Sequence, residues 1–304
     1  MARITSPRRR SVVAPGAIFV IMAMALTGTA GTAQELGPDG ISPQVVGLLR
    51  LGIAGPLLLA VSLARRESPR SMPVGPLIVA AAAMAAYQPF FFGGVDRTGV
   101  AVGTIVALGS TPVFAGALAP LMHGDAVSRR WMAATASAVV GGGLLLAGGE
   151  EIGVDPVGVA MALVAGMAYA VFALAVKGPL EHHSPVAVMG VSLCGGAVML
   201  LPLSIGSDVA WVATARGAAV ALHLGLLATA LAYYLLGFGL ARLQVPTATT
   251  ISLFEPLTAA ALGMVVLGER LTATAGVGAA FVGRGTARGR LATPPTSQAS
   301  RALT

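Results

Sequence analysis

The chain has 304 residues, 56% of them hydrophobic and 10% charged, with a mean hydropathy of +0.83. A soluble domain carries about 25% charged residues, so these figures exclude an ordinary soluble fold. The net charge of +7 would suit nucleic acid, but the charges are spaced as in a polytopic membrane protein and no nucleic-acid partner is expected. The single Cys194 permits no intrachain disulfide, and no Cys/His spacing offers a metal or cofactor site.

Residues 1–11 form a short basic segment containing Arg8, Arg9 and Arg10. The charge-free run Ser11–Gln34 that follows can cross a bilayer, for which about 20 apolar residues suffice. The three arginines, the apolar run and Gly31-Thr32-Ala33 also resemble a cleavable signal peptide. The run is long for a signal core, and an internal repeat requires it as a helix. Next come Pro43–Ala64, which holds Arg50, and then Ser71–Val95, Thr98–Met122, Trp131–Gly149, Pro156–Val176, Ser184–Ser207 and Gly217–Ala241, all free of charge. Val245–Gly268 holds one carboxylate, Glu255. Leu271–Gly283 is a tenth candidate; at ~1.5 Å per residue it covers about 20 Å of a ~30 Å core. Residues 284–304 form a basic, Pro/Ser/Thr-rich tail, expected to be disordered and cytoplasmic.

With the N-terminus placed in the cytoplasm, the inner segments hold most of the basic residues, among them Arg65, Arg66, Arg70, Arg129, Arg130, Lys177, Arg242, Arg284, Arg288 and Arg290. Glu35, Asp39, Asp96, Glu150, Glu151, Asp155, Asp208 and Glu269 fall outside. This is the positive-inside pattern. It predicts an all-α integral membrane protein of the inner (plasma) membrane, with ten spans, the tenth short, and both termini cytoplasmic.

Glu255 is the most informative residue. It lies about 15 Å from either end of its apolar run at ~1.5 Å per residue, near the bilayer centre. A carboxyl there is costly unless it faces other helices or a wet cavity. Pro256 follows it and frees a backbone carbonyl. Two readings stand: a substrate or proton site, or a satisfied polar residue that locks helices together.

The sequence is also written twice. Gly37-Pro38 and Ser42-Pro43 recur as Gly178-Pro179 and Ser184-Pro185; Gly47 matches Gly190; Ala86-Tyr87 matches Ala232-Tyr233. Ser110-Thr111-Pro112 aligns with Phe254-Glu255-Pro256, and Gly124-Asp125-Ala126-Val127-Ser128 with Gly268-Glu269-Arg270-Leu271-Thr272. The order is shared and the offset nearly constant. The units are 12–149 and 156–283, five spans each, and an odd number of spans inserts the copies in opposite orientations. Inverted repeats are a transporter architecture with a midplane site between the copies, although duplication can also simply enlarge a bundle. A membrane enzyme is disfavoured: there is no metal spacing, no Ser/His/Asp set at one depth and no phosphate loop.

The second half, from Ala232-Tyr233-Tyr234 through Pro246, Ser252-Leu253-Phe254-Glu255-Pro256 and Leu267-Gly268-Glu269-Arg270-Leu271-Thr272, resembles the EamA-type repeat of the drug/metabolite transporter superfamily. The first half is similar, with Pro112, Gly124-Asp125 and Thr111 in the place of Glu255. Arg50 looks like that family's basic residue in the second span. The resemblance covers about residues 12–283. It implies ten helices in two inverted five-helix halves and export of small metabolites, amino acids often among them, from a bacterial cytoplasm. The tail departs from it: Arg284-Gly285-Thr286-Ala287-Arg288-Gly289-Arg290 stands where the family's tenth helix stays apolar.

The polar residues within the spans limit the ligand. The candidates for a substrate or proton site are Glu255, Arg50, Tyr87, Gln88, Thr111, Tyr169, Tyr233 and Ser252, with Pro112 and Pro256 as matched helix breaks; Gln34, Ser110, Tyr234, Thr249 and Thr258 are further polar groups at depth. One acid and one base suit a zwitterion, with Glu255 taking an ammonium and Arg50 or a broken helix N-terminus taking a carboxylate. Arg50 could equally snorkel to the outer surface, and the tyrosines could be packing or interfacial anchors. Glu255 could exchange protons during a cycle, and a facilitator driven by the substrate gradient is the alternative. A short tenth helix would also fit a non-transporting scaffold or a defective transporter copy. The sequence sets no oligomeric state.

Overall fold

The computed structural model describes residues 10–38, 41–67, 69–98, 100–123, 129, 131–133, 135–136 and 155–266. Most of the expected span Trp131–Gly149, the short segment Leu271–Gly283 and the tail 284–304 lie outside the described residues, so the count of ten is not reached here. Among the described residues all regular structure is helical. Seven helices are long and apolar enough to cross a membrane: Pro15–Gln34, Pro43–Ala64, Val74–Thr98, Gly103–Met122, Pro156–His182, Pro185–Ser204 and Ala215–Arg242. Helix is what apolar runs of this length must form in lipid, where each backbone polar group has to be satisfied within its own segment.

The helices are α1 (Arg10–Thr27), α2 (Ala30–Glu35), α3 (Pro43–Ala64), α4 (Val74–Thr98), α5 (Val100–His123), α6 (Pro156–His182), α7 (Pro185–Leu200), α8 (Ala215–Leu222), α9 (Ala232–Arg242), α10 (Val245–Ser252) and α11 (Phe254–Val266). Proline opens α3, α6 and α7, where its missing N–H costs nothing and its fixed φ suits the first turn. Asp155 caps α6 by accepting from the Val157 amide at 2.9 Å. α3 ends in a Schellman turn: Arg66 takes φ 59, its amide donates to Leu63 O, and the Glu67 amide donates to Ser62 O.

Several elements differ from the sequence expectation. The first span, Pro15–Gln34, is divided into α1 and α2 by a turn at Gly28 and Thr29. The run Val245–Gly268 is split by a turn at Leu253, so Glu255 and Pro256 stand in the first turn of α11. Pro112 is not the matching break. α5 runs through it unbroken, with the Ser110 and Thr111 hydroxyls both back-bonded to Ala107 O, at 3.0 and 2.9 Å; hydroxyls of this kind help a membrane helix tolerate a proline. Lys177, assigned to an inner connecting segment, lies within α6, where Nζ donates to Leu240 O and Leu243 O at 2.8 and 3.0 Å. The helix extends past Val176, and carbonyls at and just past the end of α9 satisfy the ammonium.

The principal packing partners join the two halves. α1 lies on α9, α3 on α7, and α4 on α6. Exchanging the halves turns the first pairing into the third and leaves the second unchanged. The α3–α7 crossing is backbone on backbone: a Cβ at Gly55 would sit 2.6 Å from Cys194 N, and one at Gly190 would sit 2.7 Å from Leu59 N. Small residues permit this approach, which supplies the van der Waals contact that holds helices together in lipid.

The two ends of the bundle carry different chemistry. At one end Ser184 Oγ donates to Glu67 Oε2 at 2.6 Å, and the Arg242 guanidinium lies over the rings of Phe19 and Phe238 at 5.3 and 5.4 Å. At the other, Arg97 pairs with Asp155 at 3.0 Å, Arg216 donates to Leu36 O, and Thr29 is hydrogen-bonded to His223 at 2.8 Å. The Val157 amide and the Arg97 guanidinium hold the Asp155 carboxyl below its ordinary value.

Candidate functional site

The site is assembled from residues of α1, α3, α4, α6, α9, α10 and α11. Arg50 is the charged residue of α3. It is only 6% exposed, so it turns into the protein and does not snorkel. Its Nε donates to Thr229 Oγ1 at 3.0 Å, and its guanidinium lies 5.7 Å from the centre of the Phe92 ring. The tie to Thr229 decides its direction, because the guanidinium gains a neutral acceptor and an aromatic face in place of lipid.

Tyr87, Tyr169 and Tyr233 are all buried and come together from α4, α6 and α9. Tyr87 and Tyr169 have ring centres 5.6 Å apart, and Phe172 joins Tyr169 to Tyr233, at 6.1 and 5.8 Å. All three hydroxyls are within electrostatic reach of Glu255, and those of Tyr87 and Tyr233 also of Arg50. They are therefore part of the interior, not interfacial anchors. Ser252 is a hydrogen-bonding neighbour of the Tyr169 hydroxyl. Thr27 is the corresponding neighbour of the Glu255 carboxyl, brought there by α1: a Cβ at Gly28 would lie 2.8 Å from Glu255 O.

Gln88 completes the group. It is 1% exposed, and among the described residues its amide nitrogen finds only a sulfur, Met84 Sδ at 3.5 Å. The Tyr233 hydroxyl donates to the same sulfur at 3.6 Å. The Gln88 carbonyl oxygen is buried with no partner among the described residues. A thioether is a weak acceptor, so two buried donors and one acceptor around Met84 are left underused. Such groups are expensive in a finished core and useful where a polar solute binds.

Arg50 and Glu255 interact electrostatically, yet among the described residues the one ion pair within salt-bridge distance is Arg97–Asp155. Buried Arg50 and partly buried Glu255 therefore lie within electrostatic reach of one tyrosine cluster without closing on each other. Thr111 is buried, and its hydroxyl donates to Ala107 O on its own helix. Tyr234 also points elsewhere, with the Arg65 guanidinium 5.7 Å from its ring centre. Among the described residues no group of His, Cys, Asp and Glu could hold a metal ion.

The EamA-like transporter family model matches residues 14–147 and 156–287. The chain belongs to that family. It is 38% identical over 266 residues to the uncharacterized transporter YwfM of Bacillus subtilis (strain 168), covering 87% of this chain and 90% of the relative. It is 30% identical over 276 residues to the threonine/homoserine exporter RhtA of Escherichia coli (strain K12), covering 88% of each. A probable terminal-alkyne amino-acid exporter of Streptantibioticus cattleyicolor is 30% identical over 258 residues, covering 82% of this chain and 84% of the relative. A solved crystal structure superposes with a TM-score of 0.79 at 17% identity, over 95% of this chain and 99% of that one, and this likeness concerns the fold alone. The EamA chain is thus a multi-pass membrane protein of a small-molecule transporter family.

Sequence reasoning passed over Thr27, Met84, Phe92 and Thr229. Thr229 carried a usable signal, an aliphatic hydroxyl deep in the charge-free run Gly217–Ala241. Met84 and Phe92 carried none, because an apolar side chain in a membrane helix looks the same whether it faces lipid or a site.

Proposed function

We propose that this EamA protein exports small zwitterionic metabolites, amino acids or close relatives, across the inner membrane by alternating access. The reading includes ten helices in two inverted five-helix halves, 12–149 and 156–283, with both termini and a basic tail, 284–304, in the cytoplasm. The observation that carries it is the pair of opposite charges, buried Arg50 and partly buried Glu255, held beyond salt-bridge distance at one tyrosine cluster. Arg50 suits a carboxylate and Glu255 an ammonium. The tyrosine hydroxyls within electrostatic reach of the carboxyl add polar groups for the same solute. The names of the amino-acid exporters among its relatives support the substrate class. Repeats related by a dyad support a site between the halves and rocking of one half on the other. Glu255 is also the group able to carry a proton through the cycle.

The test is an efflux screen of amino acids and toxic analogues in cells with and without the gene, followed by Glu255→Gln. The amide keeps the shape and removes the charge and the titration. Export should be lost while expression and insertion stay normal. Normal export by the variant at every pH would remove both the proton role and the ammonium contact; poor folding with normal activity per folded molecule would make Glu255 structural.

A further inference from the structure

The group that holds Arg50 has no part in the reading above beyond contact. Between α8 and α9 the chain forms a π-helical segment, His223–Leu231. Such segments are rare and occur often at functional sites. Thr229 lies within it and is 1% exposed. Its hydroxyl donates to Leu224 O, five residues back, at 2.7 Å. In α-register a threonine back-bonds four residues back, as Thr111 does to Ala107 and Thr249 to Val245. The hydroxyl of Thr229 has thus given its proton to the π turn, and its free lone pair accepts from Arg50 Nε at 3.0 Å. One turn away the same two elements are pinned again: a Cβ at Gly225 would lie 2.7 Å from Ile53 Cβ.

A guanidinium can grip a carboxylate side-on, through Nε and one Nη, or end-on, through its two Nη groups. With Nε engaged by Thr229, only the end-on fork is open, and among the described residues no carboxylate lies within salt-bridge distance of it. We propose that Thr229 is a positioning residue for Arg50: by occupying Nε, the π segment aims the paired Nη groups at the carboxylate end of the solute and sets preference for a carboxylate over its neutral amide. This rests on the reading that Arg50 takes the carboxylate.

The test uses the full-length protein in liposomes, with counterflow of labelled L-threonine and competition by L-threoninamide, which keeps the ammonium and side chain but lacks the carboxylate. The wild type should favour threonine. Thr229→Val keeps shape and loses the hydroxyl; it should raise the KM for threonine about tenfold, on the order of one charge-assisted hydrogen bond, leave the threoninamide inhibition constant unchanged and alter the maximal rate little. Thr229→Ser should restore the preference. Arg50→Gln should flatten it, and Thr229→Val should add nothing in that background. If Thr229→Val is not recovered monodisperse, Thr229→Ala is read by the same ratio. A preference unchanged in the hydroxyl-free variant, where Arg50→Gln abolishes it, overturns the positioning role and leaves the carboxylate contact standing. A wild type that does not favour threonine overturns that contact and the positioning role with it.

Discussion

Gly55→Ala should destabilise the protein, and Gly52→Ala, on the same helix, should not. Both glycines lie within α3, so both substitutions return about 1 kcal/mol of helix propensity at most. At Gly52 a Cβ would meet nothing within 4 Å. At Gly55 it would lie 2.6 Å from Cys194 N, 2.9 Å from Leu193 C and 3.0 Å from Cys194 Cα, all backbone. Ordinary contact begins at 3.4 Å, so α3 and α7 must part by about 0.8 Å, and the reciprocal contact of Gly190 on Leu59 opens with them. Overpacking of this sort costs about 1–3 kcal/mol. After the propensity gain the net loss at Gly55 is about 0–2 kcal/mol, while Gly52→Ala is neutral or stabilised. The two variants should therefore differ by about 1–3 kcal/mol, with Gly55→Ala the weaker. Unfolding in mixed micelles by added sodium dodecyl sulfate, followed through the fluorescence of Trp131 and Trp211, measures the difference. Equal midpoints for the two variants would refute the close crossing of α3 and α7.

Two further outcomes follow from charge. Because the Val157 amide and Arg97 lower the Asp155 pKa, the stabilisation is fully present above the unfolded-state value and is lost as pH falls through the folded one; the melting temperature of Asp155→Asn should fall below wild type at neutral pH and the gap should close in acid, and a gap that stays constant would remove the electrostatic contribution. In a Cys194→Ala background, a cysteine at position 69 should resist an impermeant maleimide in intact cells and one at position 208 should react, as the arrangement of basic residues requires; the reverse pattern would invert the topology.

The membrane class, the positions of the apolar spans and the internal repeat follow from the sequence itself, because length and hydropathy are one-dimensional quantities in lipid. The family pattern around Glu255-Pro256 was legible for the same reason: it is local. Azimuth was not. A helix that is apolar on every face does not say which side meets lipid, so the inward turn of Arg50 waited on Thr229, a residue far along the chain. Proline likewise reads as a helix break from sequence, yet α5 continues through Pro112 while the run around Pro256 divides at Leu253. The π register at His223–Leu231 has no compositional mark. It shows only where Thr229 bonds to Leu224 and Arg50 bonds to Thr229. What tertiary structure decided is which polar groups, each costly alone in hydrocarbon, are satisfied by one another and which are left facing the tyrosine cluster.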